Sequence, residues 1–127
     1  MDEHQRTAYP LVLPATAEAP GLARRHLAGL GGELSDDTLE LAELLTSELV
    51  TNAVRYGLGT VRLTVEQTGT RIRVGVGDRN PEFPHPSVPD PTAERGRGLY
   101  LLERLASRWG CSAAGEPRGK TVWFELG

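Results

Sequence analysis

The chain is poor in residues that mark many specialised chemistries. It has one cysteine, Cys111, so no internal disulfide can form. Cys111 falls in an expected strand without a histidine partner in sight, which favours a packed thiol over a nucleophile. The three histidines, His4, His26 and His85, share no ligand spacing, which argues against a zinc site. No apolar run approaches the ~20 residues needed to span a bilayer. The first ten residues, MDEHQRTAYP, are acidic and polar, unlike a secretory leader. A net charge of -3 offers no basic footprint for nucleic acid. Together these absences predict a cytoplasmic protein that contacts neither membrane nor nucleic acid directly. One lysine stands against thirteen arginines, a bias common in GC-rich genomes that speaks of the source more than of chemistry.

What is present suffices for one domain. At 127 residues with 39% hydrophobic content and 15 glycines, the chain can bury a real core. Residues 1–7 read as a frayed end, and Ala8 to Leu13 as a short edge strand limited by Pro10 and Pro14. Ala17 to Leu30 suits a helix with Leu22, Leu27 and Leu30 inward, ended by Gly31-Gly32. Ser35 is a plausible N-cap for a long helix reaching Tyr56, with Asp36 and Asp37 at its positive end.

That long helix carries the first chemical signal. At about 100° per residue, Leu41, Ala42, Leu45, Leu49, Ala53 and Tyr56 share an arc, with Asn52 near its middle and Glu48 at its edge. Residues four apart are neighbours on a helix, so Glu48 and Asn52 adjoin. An amide and a carboxylate on a core-facing stripe are costly unless something satisfies them. A metal ion with a phosphate ligand would do so. The plainer reading is a solvated helix edge at Glu48 and a loop-capping amide at Asn52.

Beyond Gly57 the period changes to two. Val61, Leu63 and Val65, then Ile72, Val74 and Val76, alternate with polar residues across the turn 67–70, which predicts a hairpin running on to Gly77-Asp78. Residues 79–95 hold five prolines and no period; so long a loop in a small domain is more often functional than accidental. Gly98 to Trp109 returns to helix, with Leu99, Leu102, Leu105 and Ala106 as its stripe. Cys111–Ala114 and Thr121–Leu126 predict a last hairpin. The order is β-α-α-β-β-loop-α-β-β, an α+β two-layer sandwich with helices on one face of a mixed, largely antiparallel sheet.

Two glycine motifs fail as nucleotide loops. Gly115 to Thr121 has three residues between its glycines where a P-loop has four, and it leads into a strand. Gly75-Val76-Gly77 precedes a proline-rich loop, not the helix of a dinucleotide fold. Arg95-Gly96-Arg97-Gly98-Leu99 differs, because it opens a helix whose free N–H groups and positive end suit an anion.

Glu48 and Asn52 on one helix, Gly77-Asp78 ending a strand, a long loop, Gly96-Arg97-Gly98-Leu99 at a helix start and Gly119-Lys120-Thr121 on the last strand form an ordered set. This set resembles the GHKL (Bergerat) ATPase superfamily. Within it, the chain is similar to the small bacterial anti-sigma factor serine/threonine kinases, most specifically in ELLTSELVTNAVRYG and GRGLYLLERLASRWG. The resemblance runs from about Ala8 to Leu126 and implies one domain over residues 1–127 with an ATP lid at 79–95.

The resemblance implies ATP and Mg2+ as ligands. It assigns Glu48 as general base, Asn52 as magnesium ligand and Asp78 as acceptor of the adenine amino group. Thr121 would support the adenine pocket. Gly96 and Gly98 would contact phosphate, with Leu99 in the same turn, and Arg95 or Arg97 would neutralise the γ-phosphate. The implied partners are a sigma factor and an anti-anti-sigma antagonist, and related kinases are often homodimers. One departure stands out: after Asp78 the family usually has glycines, whereas here Arg79-Asn80-Pro81-Glu82 follow. Pro81 is rigid and donates no backbone hydrogen bond. That departure supports an alternative, a non-catalytic module acting by partner exchange. A histidine-kinase catalytic domain is a third reading, disfavoured because the chain has no room for a helical dimerisation domain with its phosphoacceptor histidine.

Overall fold

A computed structural model describes residues 5–7, 10–30, 32–82, 97–114 and 119–127. In chain order the elements are β1 (Gln5–Thr7), β2 (Leu11–Leu13), α1 (Ala19–Ala28), α2 (Asp36–Tyr56), β3 (Val61–Thr68), β4 (Arg71–Asp78), α3 (Arg97–Leu105), β5 (Arg108–Ala114) and β6 (Gly119–Leu126). The strands form one sheet in the order β1-β3-β4-β6-β5, with β2 also paired to β3. Every described pairing is antiparallel.

Strand alternation sorts the sheet into two faces. Val61, Leu63 and Val65 of β3, Ile72, Val74 and Val76 of β4, and Val122, Phe124 and Leu126 of β6 are buried. They form one core with Ala42, Leu45, Leu49, Val50 and Ala53 of α2, Ala19, Ala23 and Leu27 of α1, and Leu99 and Leu102 of α3. Helix α2 begins as its sequence dictates. The Ser35 Oγ accepts from the Thr38 N–H at 3.1 Å, and Asp36 and Asp37 occupy the first turn.

Four expectations need correction. Gln5–Thr7 are a strand, not a frayed end: they pair with Glu66–Thr68 along the same edge of β3 that β2 uses further on. Helix α1 is shorter than expected and stops at Ala28, with Gly29 as its C-cap. Helix α3 ends at Leu105 and does not reach Trp109. The backbone turns out early because the Ser107 N–H donates to the Glu125 carbonyl and Trp109 pairs with Phe124, so strand pairing wins over helix propagation. Leu105 is left 42% exposed. Finally, Asn52 lies at the edge of the buried arc of α2, not in its middle. Thr46 and Val50 are fully buried, which shifts the arc toward α1, whose Arg24 donates to the Ser47 Oγ at 2.7 Å.

Candidate functional site

Two loci on the helix-facing side of the sheet contain Glu48, Asn52, Gly98 and Leu99 in one and Asp78 in the other. The first lies between α2 and α3. Glu48 and Asn52 are half-buried. Gly98, in the first turn of α3, packs directly against them. A Cβ added to Gly98 would lie 2.8 Å from the Asn52 Nδ2 and 3.5 Å from the Glu48 Cβ. The absence of a side chain at Gly98 therefore sets the spacing of the two helices. Leu99 beside it is buried in the core and anchors that turn. The N–H groups of a helix's first turn have no intrahelical partner, and its positive end favours anions. A carboxylate and an amide of α2 and the N-terminus of α3, from two separated stretches of sequence, are thus brought together. Arg95 and Gly96 lie outside the described residues, as does the side chain of Arg97; of the expected lid, only 79–82 are described.

The second locus is the end of β4. Asp78 is 4% exposed and Lys120, its cross-strand partner on β6, is 8% exposed. The Lys120 Nζ donates to the Asp78 Oδ1 at 3.0 Å, to its Oδ2 at 3.1 Å and to the Asn80 carbonyl at 3.1 Å. The Asn80 N–H donates to the Asp78 Oδ1 at 2.7 Å. Asn80 also reaches the end of α2, where its Nδ2 donates to the Tyr56 carbonyl at 3.1 Å, and its Oδ1 accepts from the Glu82 N–H at 3.0 Å. Gly57, the C-cap of α2, closes the remaining side. A Cβ there would come within 2.7 Å of the Asp78 Cγ and 2.8 Å of its Oδ2. The departure noted in sequence, Asn80-Pro81 in place of glycines, is thus a hydrogen-bonded clasp on Asp78.

Thr121 does not share this locus. It pairs with Gly77, and its side chain lies on the other face of the sheet, over Gly75 and Gly77. There it lines a shallow depression with Thr64, Glu66, Arg73, Gly75, Ser112 and Trp123. The side chain that stands beside Asp78 is Lys120, to which the motif order assigns a place on the last strand but no role in the site. The signal was available: Val122, Phe124 and Leu126 alternate inward, so two-residue parity turns Lys120 inward as well.

Cys111 is a half-buried free thiol. Burial pushes its pKa above the usual thiol value; the Lys120 charge opposes that shift and the Asp78 charge adds to it. No cluster of three or more His, Cys, Asp or Glu that could hold a metal occurs among the described residues. A magnesium ion here would take the Asn52 amide oxygen as its protein ligand, with phosphate and water oxygens completing the shell. That donor set suits an ion that dehydrates reluctantly. The unpaired N–H groups in the first turn of α3 suit a phosphate group. No described helix is long and apolar enough to cross a membrane.

Comparison with known proteins gives the class to which this fold belongs. Residues 13–126 match the histidine kinase-like ATPase domain, and the chain belongs to that family. Its relatives include the serine-protein kinase RsbW of Staphylococcus epidermidis, 30% identical over 113 residues that cover 73% of this chain and 71% of the kinase. An uncharacterized protein of Streptomyces coelicolor, SCO4941, is 50% identical over 62 residues, 46% of this chain and 57% of that protein. The chain thus spans little more than half the length of that relative. The fold superimposes with a TM-score of 0.64 and 23% identity on a structure of the RsbU and RsbW domains of Rv1364c from Mycobacterium tuberculosis, covering 93% of this chain and 31% of that one.

Proposed function

We propose that the protein is an ATP-dependent regulator of the anti-sigma factor kinase kind, acting in the cytoplasm. It binds MgATP between α2 and α3, transfers the γ-phosphoryl group to a serine or threonine of an anti-anti-sigma antagonist, and binds a sigma factor by turns. The observation that carries this reading is the meeting of Glu48, Asn52 and Gly98 at the start of α3.

Phosphoryl transfer needs mainly positioning and charge neutralisation. In this reading the Asn52 amide oxygen orients the metal, which supplies neutralisation of the phosphate charge. The first-turn N–H groups of α3 would hold phosphate oxygens, with Gly98 letting α3 approach Asn52 and Glu48, and Arg95 or Arg97 would add positive charge. Glu48, one turn before Asn52, accepts the proton of the attacking hydroxyl. Asp78 receives the amino group of adenine. Phosphorylation of the antagonist then decides which partner the regulator holds.

A second reading rests on a specific observation. Asp78 is already paired with Lys120 and Asn80, which favours a module that binds nucleotide weakly and signals by partner exchange. Glu48→Gln separates the two. The kinase reading expects retained MgATP affinity, retained partner binding and phosphoryl transfer reduced about 10²–10⁴-fold. A native protein that binds a partner and transfers no phosphate to any cognate antagonist would establish the second reading.

A further inference from the structure

The chain has a single lysine, and it is the buried one. An ammonium has three donors, and all three of Lys120 are used: two on the carboxylate of Asp78 and one on the Asn80 carbonyl. The Asp78 Oδ1 accepts twice, from Lys120 and from the Asn80 N–H, and Oδ2 accepts once. The remaining side of Oδ2 faces Gly57, whose Cα leaves no room for even a methyl group. The carboxylate expected to receive the amino group of a base is therefore already served by an amino group of the protein, and it is enclosed.

We propose that Lys120 is a built-in occupant of the base-recognition position, so that a purine gains affinity from Asp78 only by displacing the Lys120 ammonium. This rests on the reading of Asp78 as the base-recognition residue. An exocyclic amine and an ammonium are both N–H donors, and the charged one makes the stronger bond to a carboxylate. For the native protein the exchange is a swap that returns little, and the nucleotide is held chiefly by its phosphates. Displacement also breaks the bond from Lys120 to the Asn80 carbonyl, so filling the base position loosens the clasp at the start of the segment after β4.

The test compares MgATP with the magnesium complex of purine riboside triphosphate, which lacks the 6-amino group, by calorimetry on native protein, Lys120→Met, Asp78→Asn/Lys120→Met and Asn52→Ala. Thermal melts followed by circular dichroism show which variants are folded. Native protein is expected to bind the two nucleotides within about threefold, since the amino group gains nothing net at an occupied acceptor. Lys120→Met keeps the length of the side chain and removes its donors. It is expected to bind MgATP at least about tenfold more tightly than native, as a bond to a charged acceptor is gained. That gain should vanish for the riboside and in the double variant. A native preference for ATP above about tenfold would overturn the proposal, because Asp78 would then take the amine with Lys120 in place. Folded Lys120→Met binding MgATP no more tightly than native would overturn it too, reducing Lys120 to a brace. If Lys120→Met does not fold, the two nucleotides on native protein decide. Loss of binding in Asn52→Ala, with Lys120→Met unchanged from native, would overturn the occupant and leave the nucleotide site standing. No MgATP binding by any of the folded proteins would overturn both.

Discussion

Two ion pairs link the same two strands and differ in the face they occupy. Asp78 opposes Lys120 across β4 and β6, and Arg73 opposes Glu125 across the same strands. The separation is similar, 3.0 Å for the first and 2.9 Å for the second. Parity puts position 78 under the helices and position 73 on the open face. The Lys120 and Asp78 side chains are 10% and 6% exposed, whereas Arg73 is 43% exposed and Glu125 15%. On the open face Glu125 also has Arg108 at 3.7 Å and Arg71 at 3.9 Å, and the Arg73 guanidinium lies 4.1 Å from the centre of the Trp123 ring. That network is redundant and screened by water. The inner pair has one cation, one anion and a clasp. Identical strand geometry thus gives a surface detail in one place and a constraint on the site in the other, and the difference is solvent.

The comparison is broken hardest at its inner end. Asp78→Ala leaves a buried ammonium without its counter-charge. It is expected to cost about 3–5 kcal/mol of stability in urea unfolding. A loss below about 1 kcal/mol would mean that the pair is as well solvated as the outer one.

The next largest effect separates stability from ligand binding. The Cβ of Gly98→Ala would press on the Asn52 amide, the end of a side chain that can turn away. The variant should stay folded, yet its Asn52 oxygen should no longer reach the metal, and magnesium-dependent ATP affinity should fall by at least about tenfold. Unfolding by alanine would instead mark Gly98 as a packing residue only.

At the outer end, Arg73→Ala removes one of three arginines around Glu125 together with the stacking on Trp123. The expected cost is about 0–1 kcal/mol, and it should shrink as salt is added. A cost equal to that of Asp78→Ala would erase the distinction between the faces.

The smallest effect concerns Cys111. Because burial holds its pKa above the usual thiol value, little thiolate is present at neutral pH. Alkylation by iodoacetamide at pH 7 should be slower than that of a small-molecule thiol, and slower still in Lys120→Met, which removes the one charge that lowers the Cys111 pKa. Rapid alkylation of native protein would show an open, ionised thiol.

Much of the fold was legible because its periods are clean. Ser35 to Tyr56 carries a cap and a helical stripe, and Val61 to Asp78 alternates across a turn at Gly69, whose φ of 60° only glycine adopts readily. The end of α3 was not legible. Leu105 continues the helical stripe, and the bond from Ser107 to the Glu125 carbonyl and the pairing of Trp109 with Phe124, contacts distant in sequence, stop the helix. Asn52 was placed too deep because the weight of Thr46 and Val50 facing α1 cannot be counted from one helix alone. At the site, the neighbourhood of Glu48, Asn52 and Gly98 followed from motif order. Lys120 was readable in principle: the inward parity of Val122, Phe124 and Leu126 extends to it, and the resemblance drew attention to Thr121 instead. The role of Asn80 was not readable, since its partners, the Tyr56 carbonyl and Lys120, come from α2 and β6.

The measurement that tests the central claim most directly is titration of ATP into native protein and Asn52→Ala, with and without magnesium. The account predicts magnesium-dependent binding to native protein and its loss in a folded Asn52→Ala, because alanine removes the metal-orienting amide and strands no polar group. Equal affinity of the two proteins with magnesium present, or no binding by native protein, would contradict the nucleotide site between α2 and α3.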